Sequence, residues 1–385
     1  VTASALTRPG ERDRLSVKVR EIDWTLVVLL SVVAGTGVAM LYSIAGGQWQ
    51  PWAADQLIRY GVVLLMALVL ALVHPKWWFR AAYPMYAVLL VLVMAVDFTP
   101  LGYVAGGARN WLNLGFIRIQ PAEFMKLGLV LALARWYHNH TAQEARFSWK
   151  LIIPAAMIGV PFLLVAKQPD LGSAMIIGLT GAAVMFVAGL SWKIITAGGV
   201  LAAVGTPLFV IFGMHDYQRN RVLTFLDPTK DPSGTGYNII QSKIALGSGG
   251  FLGRGYGLGS QSQLEFLPER ETDFIFSTVA EEFGFVGSFS LLLCYVGIIL
   301  IGLRIASLSY SHFGRIAASG MVAFFALFVL INGAMVMGLA PVVGVPMPLL
   351  SYGGSSMMTI MFGFGLVLST RVHRYSELPK GHGLF

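Results

Sequence analysis

The chain of 385 residues is 56% hydrophobic and only 12% charged, with a mean hydropathy of +0.70. A soluble globular chain carries about 25% charged residues, so the composition excludes a water-soluble enzyme and points to a bilayer. The formal net charge of +8 comes from basic residues in short loops beside apolar runs, which is a mark of membrane orientation rather than of nucleic-acid binding.

Taken in chain order, residues 1–23 are polar and basic with no apolar core, so no cleaved signal peptide is expected there. A spanning helix needs about 20 mostly apolar residues. Ten stretches qualify, at roughly 24–44, 57–73, 82–97, 121–137, 150–166, 171–190, 192–213, 273–303, 314–340 and 347–370. The fold class read from this pattern is an all-α integral membrane protein of about ten transmembrane helices, a single polytopic domain over 1–385. The short loops that alternate with the more basic ones hold only Arg59, Arg109, Arg118 and Lys167. By the positive-inside rule both termini (1–23 and 371–385) are cytoplasmic. The long segment 214–272 between spans seven and eight then faces outward. Its turn signals and the amphipathic run "YNIIQSKIAL", which carries Lys243, predict a structured cap with one or two short helices.

Charges near span ends are the functional candidates, because a charge at the centre of a span costs at least about 2.5–3.5 kcal/mol. Arg109 lies in a loop with two glycines, "VAGGARNWLNLG"; a lone loop arginine is usually just solvated. The fourth span opens "RIQPAEFMKL". Pro121 suits the first helical turn, and Glu123 and Lys126, three apart, can pair for structure or for function. Asp170, in "KQPDLGSAM", can cap the sixth span. Arg219 and Arg221, in "YQRNRVLTFLDP", suit lipid headgroups or a specific phosphate.

"LPERETDFIFSTVAEEFG" leads into the eighth span. Asp273 stands at its entrance, where a carboxylate also favours the positive end of a helix. Glu281 lies about 12 Å further along the axis, and with Glu282 is deep enough to need partners; both are expected to lock helices together. Glu269 and Glu271 are expected to face outer solvent. "GVPMPLLSYGGSSM" enters the last span with Ser351 and a run of small residues that allows close helix packing or anion binding by backbone N–H groups. The one cysteine, Cys294, permits no internal disulfide. Walker A, HExxH, GxSxG and Asp-x-Asp patterns are all missing, and the seven histidines lack ligand spacing. The charges point to an outward-facing, membrane-embedded site for a lipid-linked anionic substrate, with cations and a carboxylate round one cavity.

In family order, "GGARNWLNLGFIRIQPAEFMKL", "KQPDLGSAM", "YQRNRVLTFLDP", "GYNIIQSKIALGSGGFLGRGYG", "QSQLEFLPERETDFIFSTVAEEFGFVG" and "PVVGVPMPLLSYGGSS" resemble the SEDS family (shape, elongation, division and sporulation). The short N-terminus and "SQLEFLPERETDFIF" resemble its elongation branch, RodA, more than its division branch, FtsW. The resemblance implies ten spans and a peptidoglycan glycosyltransferase of the bacterial inner membrane. Such an enzyme polymerises lipid II, a disaccharide-pentapeptide on undecaprenyl pyrophosphate, at the outer face into β-1,4 glycan. It implies a class B penicillin-binding protein and the elongation complex as partners, no nucleic acid, and a divalent cation, Mg²⁺ or Mn²⁺, whose ligands it leaves unknown. The family's essential aspartate corresponds to Asp273, either as general base or as metal ligand. Its QPSE motif corresponds to Gln120, Pro121, Ala122 and Glu123, the alanine losing a hydroxyl. Glu271 stands where a histidine is usual, and neither Ala122 nor Glu271 receives a role. Arg109, Glu123, Lys126, Asp170, Arg219, Arg221, Lys243 and Ser351 are the substrate-binding candidates. A lipid II flippase using the same cavity, or a scaffold for the transpeptidase, are the rival readings; no inverted repeat supports transport.

Overall fold

The helix that looks least apolar in the sequence is the one that the others enclose. The computed structural model describes residues 15–100, 102–105, 108–113, 118–212, 219, 223–227, 234–264 and 266–378. In chain order the helices are α1 (Leu15–Glu21), α2 (Trp24–Ile44), α3 (Ala53–Leu72), α4 (Pro75–Phe98), α5 (Pro121–Asn139), α6 (Ala142–Arg146), α7 (Ile152–Lys167), α8 (Leu171–Val187) and α9 (Trp192–Phe212). They continue with α10 (Thr235–Ser248), α11 (Ser260–Gln263), α12 (Ile275–Ser307), α13 (His312–Val336) and α14 (Gly354–Val372). Of the 19 residues of α5, 17 are buried, among them Glu123, Lys126, Arg135 and His138. It packs against α4, α7, α8, α13 and α14. Protein on every side replaces lipid there, which is how a spanning-length helix tolerates charge.

Among the described residues, seven helices are long and apolar enough to cross a membrane: α2, α3, α4, Trp149–Lys167, α12, α13 and α14. The protein is therefore an all-α multi-pass membrane protein with at least seven such helices. The perimeter is apolar where it faces outward: Val62, Leu65 and Val69 of α3, Leu163 of α7 and Leu201 of α9 are all more than half exposed, as a lipid-facing surface requires.

One departure from a purely helical reading lies between α4 and α5. Strands β1 (Gly102–Ala105), β2 (Ala108–Asn113) and β3 (Arg118–Ile119) form an antiparallel sheet in the order β1-β2-β3, with an irregular register at Tyr103/Val104. The segment had read only as a glycine-containing loop, because strands of two to six residues carry too short an alternation to register.

The eighth expected span also differs. Its helix starts at Ile275, so Asp273 sits in the turn before it, and the helix is interrupted at Gly284 (φ 64°, ψ −160°). A broken helix at membrane depth needs its freed backbone groups satisfied by protein. The loop after α10 does this. The N–H groups of Arg254 and Gly255 donate to the carbonyls of Glu281 and Glu282 (both 3.0 Å), and those of Phe285 and Val286 donate to Gly250 and Phe251 (3.0 and 3.1 Å). The two buried carboxylates finish the join. Glu281 accepts from the Gln261 backbone N–H (3.0 Å) and the Ser260 hydroxyl (3.1 Å), and Glu282 accepts from Ser43 of α2 (2.5 Å). The locking role expected of this pair is what the structure shows. A Cβ on Gly284 would overlap the backbone nitrogen of Gly253, and the backbone there is one that only glycine adopts freely. Gly284→Ala is expected to cost about 3 kcal/mol, read as a lowered thermal unfolding midpoint in detergent; an unchanged midpoint would mean that the loop does not clasp the break.

The turn between α5 and α7 carries a capping box at Thr141 and Glu144, with Lys150 2.5 Å from Glu144. The Lys150 hydrogen bond, with that from the Thr141 backbone, holds the Glu144 carboxyl down at about 2. A depressed carboxylate favours the folded turn above its unfolded value and loses that advantage as pH falls from about 4.5 toward 2. Lys150→Ala is expected to raise the Glu144 titration midpoint toward the ordinary carboxylate value in a carbon-13 NMR titration.

Candidate active site

Asp273, Asp170 and Glu123 come from three separate turns and line one cavity of about 400 Å³. Its floor and walls are made from β2 (Asn110, Trp111), the start of α5 (Gln120, Glu123), the turn into α8 and the turn before α12, closed by Val343, Gly344, Pro346 and residues 352–356.

Each carboxylate is placed by a different device. Asp170 caps α8 through Oδ1, accepting from the Ser173 N–H (3.0 Å). Its Oδ2 accepts from Asn110 Nδ2 (2.9 Å) and Gln120 Nε2 (2.8 Å), so one side chain ties sheet, α5 and α8 together. Asp273 is placed through its backbone. The buried Asn332 of α13 donates through Nδ2 to the Asp273 carbonyl (2.8 Å) and to the Val345 carbonyl (2.7 Å). That amide fixes the turn before α12 against the segment that faces it. Gly344, at φ 70°, a conformation that favours glycine, passes beside the carboxylate: a Cβ built on it would stand 3.7 Å from Asp273 Oδ2, in ordinary contact.

Glu123 lies in the cavity wall and receives Lys126 Nζ at 2.5 Å on Oε1. Its Oε2 is buried and without a hydrogen-bond partner among the described residues. Lys126, 1% exposed, also lies 4.7 Å over the Phe328 ring. It supports the wall from behind and does not line the cavity. Glu269, expected to face solvent, is exposed and also forms part of the rim, where it accepts from Thr272 Oγ1 (2.9 Å).

The remaining candidates stand elsewhere. Arg109 Nη2 donates to the Thr99 carbonyl at the end of α4 (2.7 Å). The buried Ser351 spends its hydroxyl on the Met347 N–H (2.8 Å), bracing the turn beneath the cavity while its neighbours Tyr352–Ser356 line it. Lys243, on α10, is exposed with its amino end against Gly338. Arg219 is exposed, and Arg221 lies outside the described residues. The expected ring of cations is therefore not what the described cavity wall presents: among the described residues it carries four carboxylates and no lysine or arginine. Among the described residues, a cation that borders this lining is Arg59 of α3, 4.7 Å over the ring of Tyr352 and 3.6 Å from Asp55. It had counted only as a loop charge, since nothing in "DQLIRY" signals that α3 meets the last helix.

The profile of the Cell cycle protein family that spans FtsW, RodA and SpoVE matches residues 20–376. The chain belongs to this family. It is 42% identical over 353 residues to the peptidoglycan glycosyltransferase MrdB of Escherichia coli, covering 92% of this chain and 94% of that one. It is also similar to a chain of a peptidoglycan synthase complex solved for the coordination of polymerization and crosslinking, with a TM-score of 0.79, 35% identity, and 92% and 98% coverage. The rod shape determining protein RodA of Thermus thermophilus gives a TM-score of 0.69 at 30% identity, with 92% and 98% coverage. The similarities lie with the RodA branch, as the "SQLEFLPERETDFIF" stretch implies, and the family places this chain in the bacterial inner membrane.

Proposed function

We infer that this protein is a peptidoglycan glycosyltransferase that polymerises lipid II, with Asp273 as general base in the cavity shared with Glu123 and Asp170. The observation that carries the reading is that cavity: residues 123, 170 and 273, far apart in sequence, meet in it in a chain whose relatives bear this activity. The 4-hydroxyl of one lipid-linked sugar attacks the anomeric carbon of another. Asp273 takes the hydroxyl proton, the new glycosidic bond forms, and undecaprenyl pyrophosphate leaves with the bonding electron pair. A base needs hydrogen-bond reach of the proton it removes, and Asp273 lines the cavity in which the hydroxyl would lie. Asp170 and Gln120 orient the sugar units, Arg59 at the rim meets a phosphate, and Arg109, Arg219, Arg221 and Lys243 serve the polyprenyl-pyrophosphate portions beyond the described wall.

The Mg²⁺ or Mn²⁺ implied by the resemblance is compatible with this wall. Among the described residues no three acidic or histidine side chains converge to hold a metal unaided. Yet the donors are carboxylate oxygens, one of them a buried orphan on Glu123, and magnesium is commonly held by one or two carboxylates plus substrate phosphates. Asp273 with Glu123 would hold it, and the ion would neutralise pyrophosphate charge.

The proposed orientation has ten spans, both termini cytoplasmic and the cavity at the outer face, where a class B penicillin-binding protein of the elongation complex joins it. Purified protein with lipid II and divalent cation is expected to yield glycan chains. Lipid II crossing from one leaflet to the other in vesicles, with no polymer formed, would instead establish the flippase reading.

A further inference from the structure

At the end of α4 and α5 farthest from the cavity, three cations stand together with no counter-charge among the described residues. Glu123 is in the first turn of α5 and Arg135 in its last turns, about 18 Å along the axis. Lys76 and Arg80 open α4, flanking the exposed Trp77 at 5.7 and 5.6 Å from its ring. Arg135, 6% exposed, packs across the rings of Phe79 (4.8 Å) and Tyr83 (4.5 Å), and its Nη1 donates to the Arg80 carbonyl (3.2 Å). Its buried Nε has no hydrogen-bond partner among the described residues. Among those residues, none of the three cations has a carboxylate within ion-pair distance. The sole acids of α4 and α5, Asp97 and Glu123, lie at the opposite ends of their helices. The first turn of α4 adds to the imbalance, since it holds Lys76 and no acidic residue, whereas a helix N-terminus is already positive.

We propose that this end of α4 binds the phosphate headgroup of an anionic phospholipid, with Lys76 and Arg80 on the phosphate and Arg135 contributing charge from beneath. The shape of α4 separates a lipid from a free anion. Below Arg80 the exposed face continues through Pro84, Ala87, Val88 and Val91 and, two turns further on, Phe98, positions that share one side of the helix and form an apolar track. That track extends about 27 Å from Arg80 at 1.5 Å per residue, the reach of acyl chains across most of a hydrocarbon core. Trp77, beside both cations, would then stand at headgroup depth, where an indole prefers to be. A phosphate with two acyl chains satisfies the cations and covers the track; inorganic phosphate does only the first.

The test uses the full chain in mixed micelles with equal phosphatidylglycerol and phosphatidylcholine, with retained lipid counted by native mass spectrometry. Wild type is expected to retain phosphatidylglycerol preferentially. The Lys76→Gln/Arg80→Gln protein is expected to lose that preference roughly tenfold or more, with glycan polymerisation unchanged. If the double variant does not fold, Arg80→Gln alone is read in the same way. Lys193→Gln, an exposed basic residue on α9, is expected to leave the preference intact. Equal retention of both lipids by wild type, or full preference in the variants, would overturn the proposal. So would an equal loss in Lys193→Gln, which would indicate a diffuse surface field. Displacement of the phosphatidylglycerol by inorganic phosphate would assign the cations to a free anion and overturn the lipid reading.

Discussion

Asp273→Asn is expected to lower the rate of glycan polymerisation by about 10²–10⁴-fold, the usual contribution of a positioned general base. The substitution is nearly isosteric, and the turn that carries it is fixed by the backbone carbonyl of residue 273 accepting from Asn332, which asparagine retains. Folding and lipid II binding should therefore stay close to wild type while turnover falls. A second arm separates the two chemical roles open to this carboxylate. If Asp273 removes the proton, the loss persists at saturating Mn²⁺. If it chiefly holds a metal, the metal concentration for half-maximal activity rises and high Mn²⁺ restores much of the rate. Normal polymer from Asp273→Asn at ordinary metal concentration would remove Asp273 from the chemistry altogether.

The sequence reading reached the helices through their apolar runs, and it reached Asp273, Asp170 and Glu123 because carboxylates at the ends of apolar helices are conspicuous. What it could not reach was which cations join them. Arg109 and Arg59 are both loop-adjacent arginines, and nothing local separates one that turns back to the Thr99 carbonyl from one that lies over Tyr352. That choice is made by the docking of α14 along α3, a contact between segments nearly 300 residues apart. Asn332 escaped notice for a related reason. A single amide in an apolar helix reads as a tolerated polar residue until the two carbonyls it joins are known. Gly284 was equally silent, since glycine within a membrane helix is common and its backbone shows no break until the loop 250–255 is seen lying in the gap.

The Glu123–Lys126 pair carries the other large expected effect, and its two substitutions separate structure from catalysis. Lys126→Met would leave Glu123 with both oxygens unpartnered among the described residues on a helix buried on all sides. Removing one partner of a buried pair typically costs about 3–5 kcal/mol, so the variant should unfold at a clearly lower temperature in detergent. Replacing both, as Glu123→Gln/Lys126→Met, removes the stranded charge, and the midpoint should return most of the way toward wild type. The packing of Lys126 over Phe328 suits an apolar replacement. Activity should not return with it. Glu123 lines the cavity and Lys126 does not, so the carboxylate is the part of the pair placed to act there. A double variant that is stable and inactive therefore places the pair in the reaction. One that is stable and fully active would make it a scaffold for α5 and leave Asp170 and Asp273 as the acidic groups of the site.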